Sequence, residues 1–217
     1  MLAAGLISRG PVYDALASTD RAHFFPESCP DEVRYQDAPY PIGYGATISA
    51  PHMHAHVLEA LSAKLVPGAR VLDVGSGTGI LLAAFSKVVC PGGGKVVGVE
   101  HVPELVRSSL ANLAKAAVGD AVLTAALGGA CEVVCSDGRL GYASAAPYDA
   151  IHVGAAAPTL PRALVDQLAP GGMLVIPVGD DEQALMEVVK DANGNVRSRE
   201  LFGVRYVPLT DLRHQLQ

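Results

Sequence analysis

The spacing of hydrophobic positions changes character along the chain, and each change predicts an element. From Ala50 to Leu65 apolar residues recur at Met53, Val57, Leu61 and Leu65, a four-residue spacing that turns one face inward and predicts a helix. Beyond it, short unbroken apolar runs alternate with longer periodic ones. "ARVLDVG" reads as a strand, "GILLAAFSKVV" as a helix, "GKVVGVEHV" as a strand and "ELVRSSLANLAKAA" as a helix. The alternation continues through "CEVVCSDG", "YDAIHVG", "LPRALVDQL" and "GMLVIPVG". Strands of continuous Val, Ile and Leu separated by helices are buried on both faces, which predicts an α/β fold with a mostly parallel sheet. The end departs from this: "ALMEVVKDANGNVRSRELFGVRYVPL" reads as two strands around Asn193-Gly194, a turn pair that predicts a C-terminal antiparallel hairpin. Residues 11–36 mix a short helical pattern with loop residues and predict an N-terminal helical lid. Without repeats or a linker, residues 1–217 are expected to form one domain, 1–49 as lid and active-site loop and 50–217 as α/β core.

Composition narrows the class. Half of the residues are hydrophobic and 18% are charged, whereas disorder requires the opposite balance. A net charge of -6 leaves no basic surplus for a phosphate backbone, so nucleic acid is not expected as a partner. The apolar run after Met1 is short and is followed, not preceded, by Arg9, unlike a signal peptide. No uninterrupted apolar stretch reaches the roughly 18 residues of a membrane span. Cys29, Cys90, Cys131 and Cys135 contain no C-x-x-C pair and read as reduced thiols, pointing to a cytoplasmic location.

Two stretches carry chemistry. "LDVGSGTGIL", Leu72 to Leu81, places Gly75, Gly77 and Gly79 at a strand-to-helix turn, where backbone can approach a ligand and the helix start offers free N–H groups. The nicotinamide fingerprint needs its last glycine at position 80, which is Ile80. Asp73 can accept from a cationic amine, Glu100 at the end of the second strand can bind a ribose diol, and Asp137 ends the third strand, where an adenine would lie. Taken singly, a glycine tightens a turn and an acid caps a helix. Together they suit a ligand with an amino acid end and a nucleoside end, S-adenosylmethionine.

The second stretch is "PIGYGATISAPHMHAHVLEAL", Pro41 to Leu61. Pro41, Gly43 and Gly45 predict an irregular backbone in place of a packed strand, and Pro51 suits the first turn of the next helix. Ser49 then reads as an N-cap, a role that does not exclude a second one in chemistry. His52 and His56 share a helix face while His54 points the other way, and Met53 stands where a zinc-protease motif needs Glu. No metal is expected. A hydrolase elbow around Ser76 would need glycines where Val74 and Thr78 stand. "DAPY", Asp37 to Tyr40, lacks the second residue of the amino-methyltransferase box D-P-P-Y and precedes the glycine turn.

"LDVGSGTGIL", "GVEH", "SDGRLGY", "PYDAIHVGAAAP", "LAPGGMLVIPVG" and "GVRYVPLTD", with "ATISAPHMHA" and "TDRAHFF", resemble the protein L-isoaspartate (D-aspartate) O-methyltransferases over nearly the whole chain. The resemblance implies a Rossmann-like class I methyltransferase fold and methyl transfer from S-adenosylmethionine to the free carboxylate of L-isoaspartyl and D-aspartyl residues in damaged proteins and peptides. It implies Ser49 as the catalytic serine. Cofactor contacts are implied for Ala46, Thr47, Ile48, Ser49, His54, Thr78, Glu100, His101, Asp137, Gly138, Thr210 and Gln215, beside Asp73, Gly75, Gly77 and Gly79 of the glycine turn. Substrate contacts are implied for Ile48, Ser49 and Val207. A monomer without nucleic-acid or membrane partners is expected. The rivals are a methyltransferase acting on another oxygen or nitrogen, and a nucleotide-binding protein without chemistry.

Overall fold

The computed structural model describes residues 5–216; Met1–Ala4 and Gln217, which the sequence assigns to the single domain, lie outside them. The chain enters through α1 (Pro11–Ala17), a 3-10 turn at Arg21–Phe24 and α2 (Asp31–Arg34), followed by β1 (Tyr40–Gly43), β2 (Ala46–Ile48) and α3 (Pro51–Leu61). The alternating part comprises β3 (Arg70–Val74), α4 (Ile80–Val89), β4 (Lys95–Glu100), α5 (Pro103–Ala116), α6 (Ala121–Leu127), β5 (Cys131–Cys135), β6 (Tyr148–Val153) and α7 (Arg162–Asp166). It closes with β7 (Leu168–Val178), β8 (Gln183–Lys190), β9 (Val196–Val204) and α8 (Leu212–Gln215).

Seven strands form one sheet in the order β5-β4-β3-β6-β7-β8-β9. Its first five are parallel, and β8 and β9 run antiparallel to their neighbours, as the hydrophobic pattern predicts. Strand order reverses at β3, and such a switch point leaves a crevice beyond the carboxyl ends of the strands. Val74, Glu100 and Val153 end the strands that border it. Alternation along β3 divides the core: Val71 packs in the cluster that contains α3, α4 and the N-terminal Val12, Ala15 and Phe24, whereas Leu72 and Val74 pack with Ile151, Val153 and Leu174 in the other. Among the described residues no helix is long and apolar enough to cross a membrane.

The structure corrects the sequence reading in several places. Pro41, Gly43 and Gly45 do not exclude strands: β1 and β2 pair antiparallel across a two-residue turn, Tyr44-Gly45, with φ of 54° and 68°. Two successive positive φ values are those of the hairpin turn that matches strand twist, and Gly43 absorbs a register shift beside it. Asn193-Gly194, by contrast, is not a two-residue turn. The β8–β9 loop spans residues 191–195 and is organised by Asp191, whose Oδ1 accepts from the N–H groups of Asn193 and Asn195 at 2.8 and 2.9 Å. Helix α6 had no counterpart in the predicted pattern. It is short, and its cap is Asp120, whose carboxylate accepts from the Leu123 N–H at 2.9 Å.

The glycines of the β3–α4 turn differ in purpose. Gly79, at φ 91°, caps α4 so close to α5 that a Cβ there would collide with the Ser109 Oγ and lie 3.4 Å from Leu113. Gly75, at φ 70°, would place a Cβ no nearer than 3.9 Å to other atoms. Gly75→Ala should cost only left-handed strain, about 1–2 kcal/mol. Gly79→Ala should cost ~1–3 kcal/mol more through overpacking, and that extra part should shrink in a Ser109→Ala background. Denaturant unfolding of the four variants measures both differences; equal costs for the two glycines would show that α5 does not crowd Gly79.

Candidate active site

The crevice at the switch point is an open cleft with two connected parts. One, of about 530 Å³, lies between the end of β4 and the segment after β9, lined by Ala46, Thr47, Gly75, Gly77, Glu100, His101, Gly138, Val207, Thr210 and Gln215. The other, of about 440 Å³, is lined by Thr47, Ile48, Ser49, His54, Asp73, Gly75, Gly77, Thr78, His152 and Tyr206. Thr47, Gly75 and Gly77 border both. A larger, open cavity of about 850 Å³ adjoins the second part and shares Thr47, Ser49 and Tyr206 with it. Its remaining wall includes His52, Met53 and His56 of α3 and Phe202 and Arg205.

Glu100 ends β4, where alternation would bury an apolar residue, and only 5% of it is exposed. Its oxygens accept from Gly77 N at 3.1 Å and Val102 N at 3.0 Å, so the carboxylate also fastens the glycine turn to β4. A carboxylate has more acceptor sites than these two bonds use, so Glu100 can also receive a hydroxyl from the cleft. His101 donates from Nε2 to Gln215 Oε1 at 2.7 Å, and Gln215 Nε2 donates to the Tyr44 carbonyl at 2.9 Å. Helix α8 thereby ties the hairpin turn to the end of β4. Gly45 permits this contact, since its Cβ would lie 3.3 Å from the Gln215 carbonyl oxygen.

Ser49 does not cap α3. Ala50 holds the N-cap position without a side-chain bond, and the His52 N–H donates instead to Asp37 Oδ1 at 3.0 Å. Asp37 also meets His52 Nδ1 at 2.8 Å, so an acid fifteen residues upstream does the capping. The Ser49 hydroxyl is thereby left at the junction between the cleft and the open cavity. Beside it, burial pushes the Tyr206 phenol up to about 12, against a smaller opposite pull from Ser49 itself. Tyr206 therefore stays protonated at neutral pH.

Three expected residues are placed differently. Gly79 packs against α5 and does not line the cleft. Asp137 turns to Arg139, whose Nη2 is 2.7 Å from Oδ2, and the arginine holds its carboxyl below the usual range; Gly138 lines the cleft in its place. Val207 lies in the cleft wall near Thr210 and not in the open cavity; its carbonyl accepts from Ala156 N at 2.8 Å, which holds the segment against the chain that follows β6.

The sequence reading assigned no role to Arg21, His152 or Tyr206. His152 has a legible signal: it is the one polar residue within the apolar run "AIHVG", and it stands in register with Asp73 on the neighbouring strand. Arg21 and Tyr206 have no such local signal, since their partners come from distant segments.

The sequence profile of the family described as protein-L-isoaspartate(D-aspartate) O-methyltransferase matches residues 1–214. The protein-L-isoaspartate O-methyltransferase of Triticum aestivum is 50% identical over 213 residues, which cover 98% of this chain and 89% of that one. Protein-L-isoaspartate O-methyltransferase 1 of Arabidopsis thaliana is 48% identical with the same coverage. A crystal structure of a Plasmodium falciparum protein-L-isoaspartate O-methyltransferase with S-adenosyl-L-homocysteine is similar at a TM-score of 0.81 and 36% identity, covering 95% of this chain and 93% of that one. Because the match runs from the N-terminal helices through the cleft to α8, with near-complete coverage of each relative, this chain belongs to the protein-L-isoaspartate(D-aspartate) O-methyltransferase family.

Proposed function

We propose that this enzyme methylates the free carboxylate of L-isoaspartyl and D-aspartyl residues in damaged proteins and peptides, with S-adenosylmethionine as methyl donor, and so begins their repair. The observation that carries the roles of its residues is Ser49, uncapped and set where the glycine-lined cleft opens into the large cavity. The residues of the cleft fit the donor. Glu100 offers a buried carboxylate for a diol, and Ser76 Oγ is buried without a hydrogen-bond partner among the described residues. Ala46, Thr47, Gly75, Gly77, His101, Gly138, Thr210 and Gln215 would surround the nucleoside end, and Ile48, His54, Asp73, Thr78 and Tyr206 the amino acid end. When bound, S-adenosylmethionine supplies an electrophilic methyl group on a sulfonium.

An acceptor carboxyl has a reference pKa of about 3.9 and is already an anion at neutral pH, so the protein need not remove a proton. Its task is to place the acceptor oxygens and exclude water. Ser49 can donate to one oxygen, and the protonated Tyr206 can donate to the acceptor or orient Ser49. His54 cannot serve as a charged group near neutrality, because burial, then Arg21, hold it neutral to well below its usual pKa. His52, Met53, His56, Phe202 and Arg205 offer the damaged chain an open, mixed surface outside the reacting atoms. We take the enzyme to act as a monomer, since a single chain supplies every wall named, and the free cysteines fit a reducing cytoplasm.

Three outcomes test this reading. Glu100→Ala should weaken binding of S-adenosylmethionine at least about tenfold in calorimetry, since a hydrogen bond to a charged acceptor contributes roughly 1.5–3 kcal/mol. It should also lower stability, because the N–H groups of Gly77 and Val102 lose their acceptor. Labelled methyl transfer should strongly favour an isoaspartyl peptide over its aspartyl isomer. Equal labelling would point to a different acceptor, because the extra backbone methylene displaces the carboxylate.

Single-turnover transfer at saturating substrate should show no base-requiring rise between about pH 6 and pH 8. With Tyr206 raised to about 12 and His54 lowered well below 6.5, neither changes charge in that window. Ser49→Ala should slow the step by roughly 10- to 100-fold with the same profile shape. A rate that climbs tenfold per pH unit in the native enzyme and flattens in Ser49→Ala would make Ser49 part of a deprotonation.

A further inference from the structure

Two buried histidines border the same part of the cleft, and each is held at Nδ1 by a group of opposite chemistry. His54 on α3 is 5% exposed and His152 on β6 is 4% exposed. His54 Nδ1 lies 3.4 Å from Nη1 of Arg21. A guanidinium donates and never accepts, so His54 Nδ1 is the bare nitrogen and the ring proton sits on Nε2. His152 Nδ1 lies 2.6 Å from Asp73 Oδ1, and an ionised carboxylate only accepts, so here Nδ1 carries the proton. In the tautomer with that single proton, Nε2 of His152 carries the lone pair, and it is buried without a hydrogen-bond partner among the described residues.

Arg21 is itself placed with little freedom. It is 7% exposed, donates to the carbonyls of Arg34 and Ala38 at 3.2 and 3.5 Å, and lies 5.0 Å from the centre of the Phe25 ring. No carboxylate pairs with it within 4.0 Å among the described residues. A buried guanidinium kept without an ion-pair partner and turned to an imidazole costs stability, so it calls for a role beyond packing. Asp73 is placed just as closely: it is 2% exposed, and the parallel register of β3 and β6 sets it beside His152 on the same sheet face.

We propose that Arg21 and Asp73 are positioning residues that hold His54 and His152 in opposite tautomers, so that the cleft presents one ring N–H and one ring lone pair to the carboxylate and the ammonium of an α-amino acid. That amino acid is the methionine end of the donor, and the inference rests on the reading of this cleft as the S-adenosylmethionine site. A zwitterion needs one donor and one acceptor at a fixed separation. Two imidazoles held in complementary tautomers supply them, one at each Nε2. Burial and the adjacent Arg21 keep His54 neutral, as this arrangement requires. Asp73, which the sequence alone assigns to the amine directly, acts here through His152.

The first measurement needs no ligand. In ¹⁵N-histidine-labelled native protein, long-range ring-nitrogen spectra should show His54 protonated on Nε2 alone and His152 on Nδ1 alone. Both rings in one tautomer, or either ring doubly protonated at pH 7.5, would overturn the proposal. The second is calorimetry with S-adenosylhomocysteine and with its analogues lacking the carboxylate or the amino group. Arg21→Met should weaken S-adenosylhomocysteine about tenfold or more and leave the analogue without the carboxylate unchanged. Asp73→Asn, whose amide can donate or accept, should weaken S-adenosylhomocysteine similarly and leave the analogue without the amino group unchanged. Equal losses for all three ligands would make both residues merely structural and sink the proposal, whereas native protein that binds none of them would remove the cofactor reading and leave the spectra to judge the tautomers alone. If either variant fails to fold, the native spectra still decide.

Discussion

The parallel register of β3 against β6 on one side and β4 on the other is the constraint on which the site depends. It sets Asp73 opposite His152 and opposite Gly98, and it brings the ends of β3, β4 and β6 to one level. Asp73 and His152 share the sheet face that packs against α3 and α4, where an unpaired charge would be costly. Their mutual contact gives the carboxylate a hydrogen-bond donor there. Gly98 keeps the same level clear: a Cβ there would press on Leu82 and on the Ser76 hydroxyl, which is part of the glycine turn. A slip of one residue would turn Asp73 to the other face and dissolve the cleft.

Around that fixed floor the walls come from segments far apart in the chain. The β1–β2 hairpin, the end of β4 and α8 are held by one glutamine, which receives from His101 and donates to Tyr44. Tyr44 has φ of 54°, an unusual conformation for an aromatic residue, and its carbonyl is the one that Gln215 engages. Asp37 does comparable work at α3. By taking over the cap of that helix it frees the Ser49 hydroxyl from capping, and a hydroxyl free of that duty can turn to an acceptor.

The chemistry asks little of proton transfer, and the titratable groups are arranged accordingly. Tyr206 is driven up and His54 down, so both stay uncharged over the pH range in which a carboxylate acceptor is already ionised. A family that methylates an anion has to discriminate by position, and the site spends its buried polar groups on orientation: Glu100 on the glycine turn, Arg21 on His54, Asp73 on His152.

The sequence by itself determined the sheet, because unbroken Val, Ile and Leu runs between periodic helices have one economical burial, between two helical layers. It also determined the antiparallel ending and the place of the glycine turn, since φ above zero and strand alternation are local properties. Short elements were less legible: α6 spans Ala121–Leu127, too few residues for a clear period, and the β1–β2 hairpin hid among glycines and a proline that suggested loop. Only the tertiary structure decided what the polar side chains do. That Asp37 and not Ser49 caps α3, that Asp137 turns to Arg139, and that Gly79 serves α5 and not the cleft depend on which segments meet in space. Arg21 lies thirty-three residues from His54, and His152 seventy-nine from Asp73. A local pattern records which face a residue takes, but a hydrogen bond needs its partner within about 3 Å, and that distance is set by the packing of the whole chain.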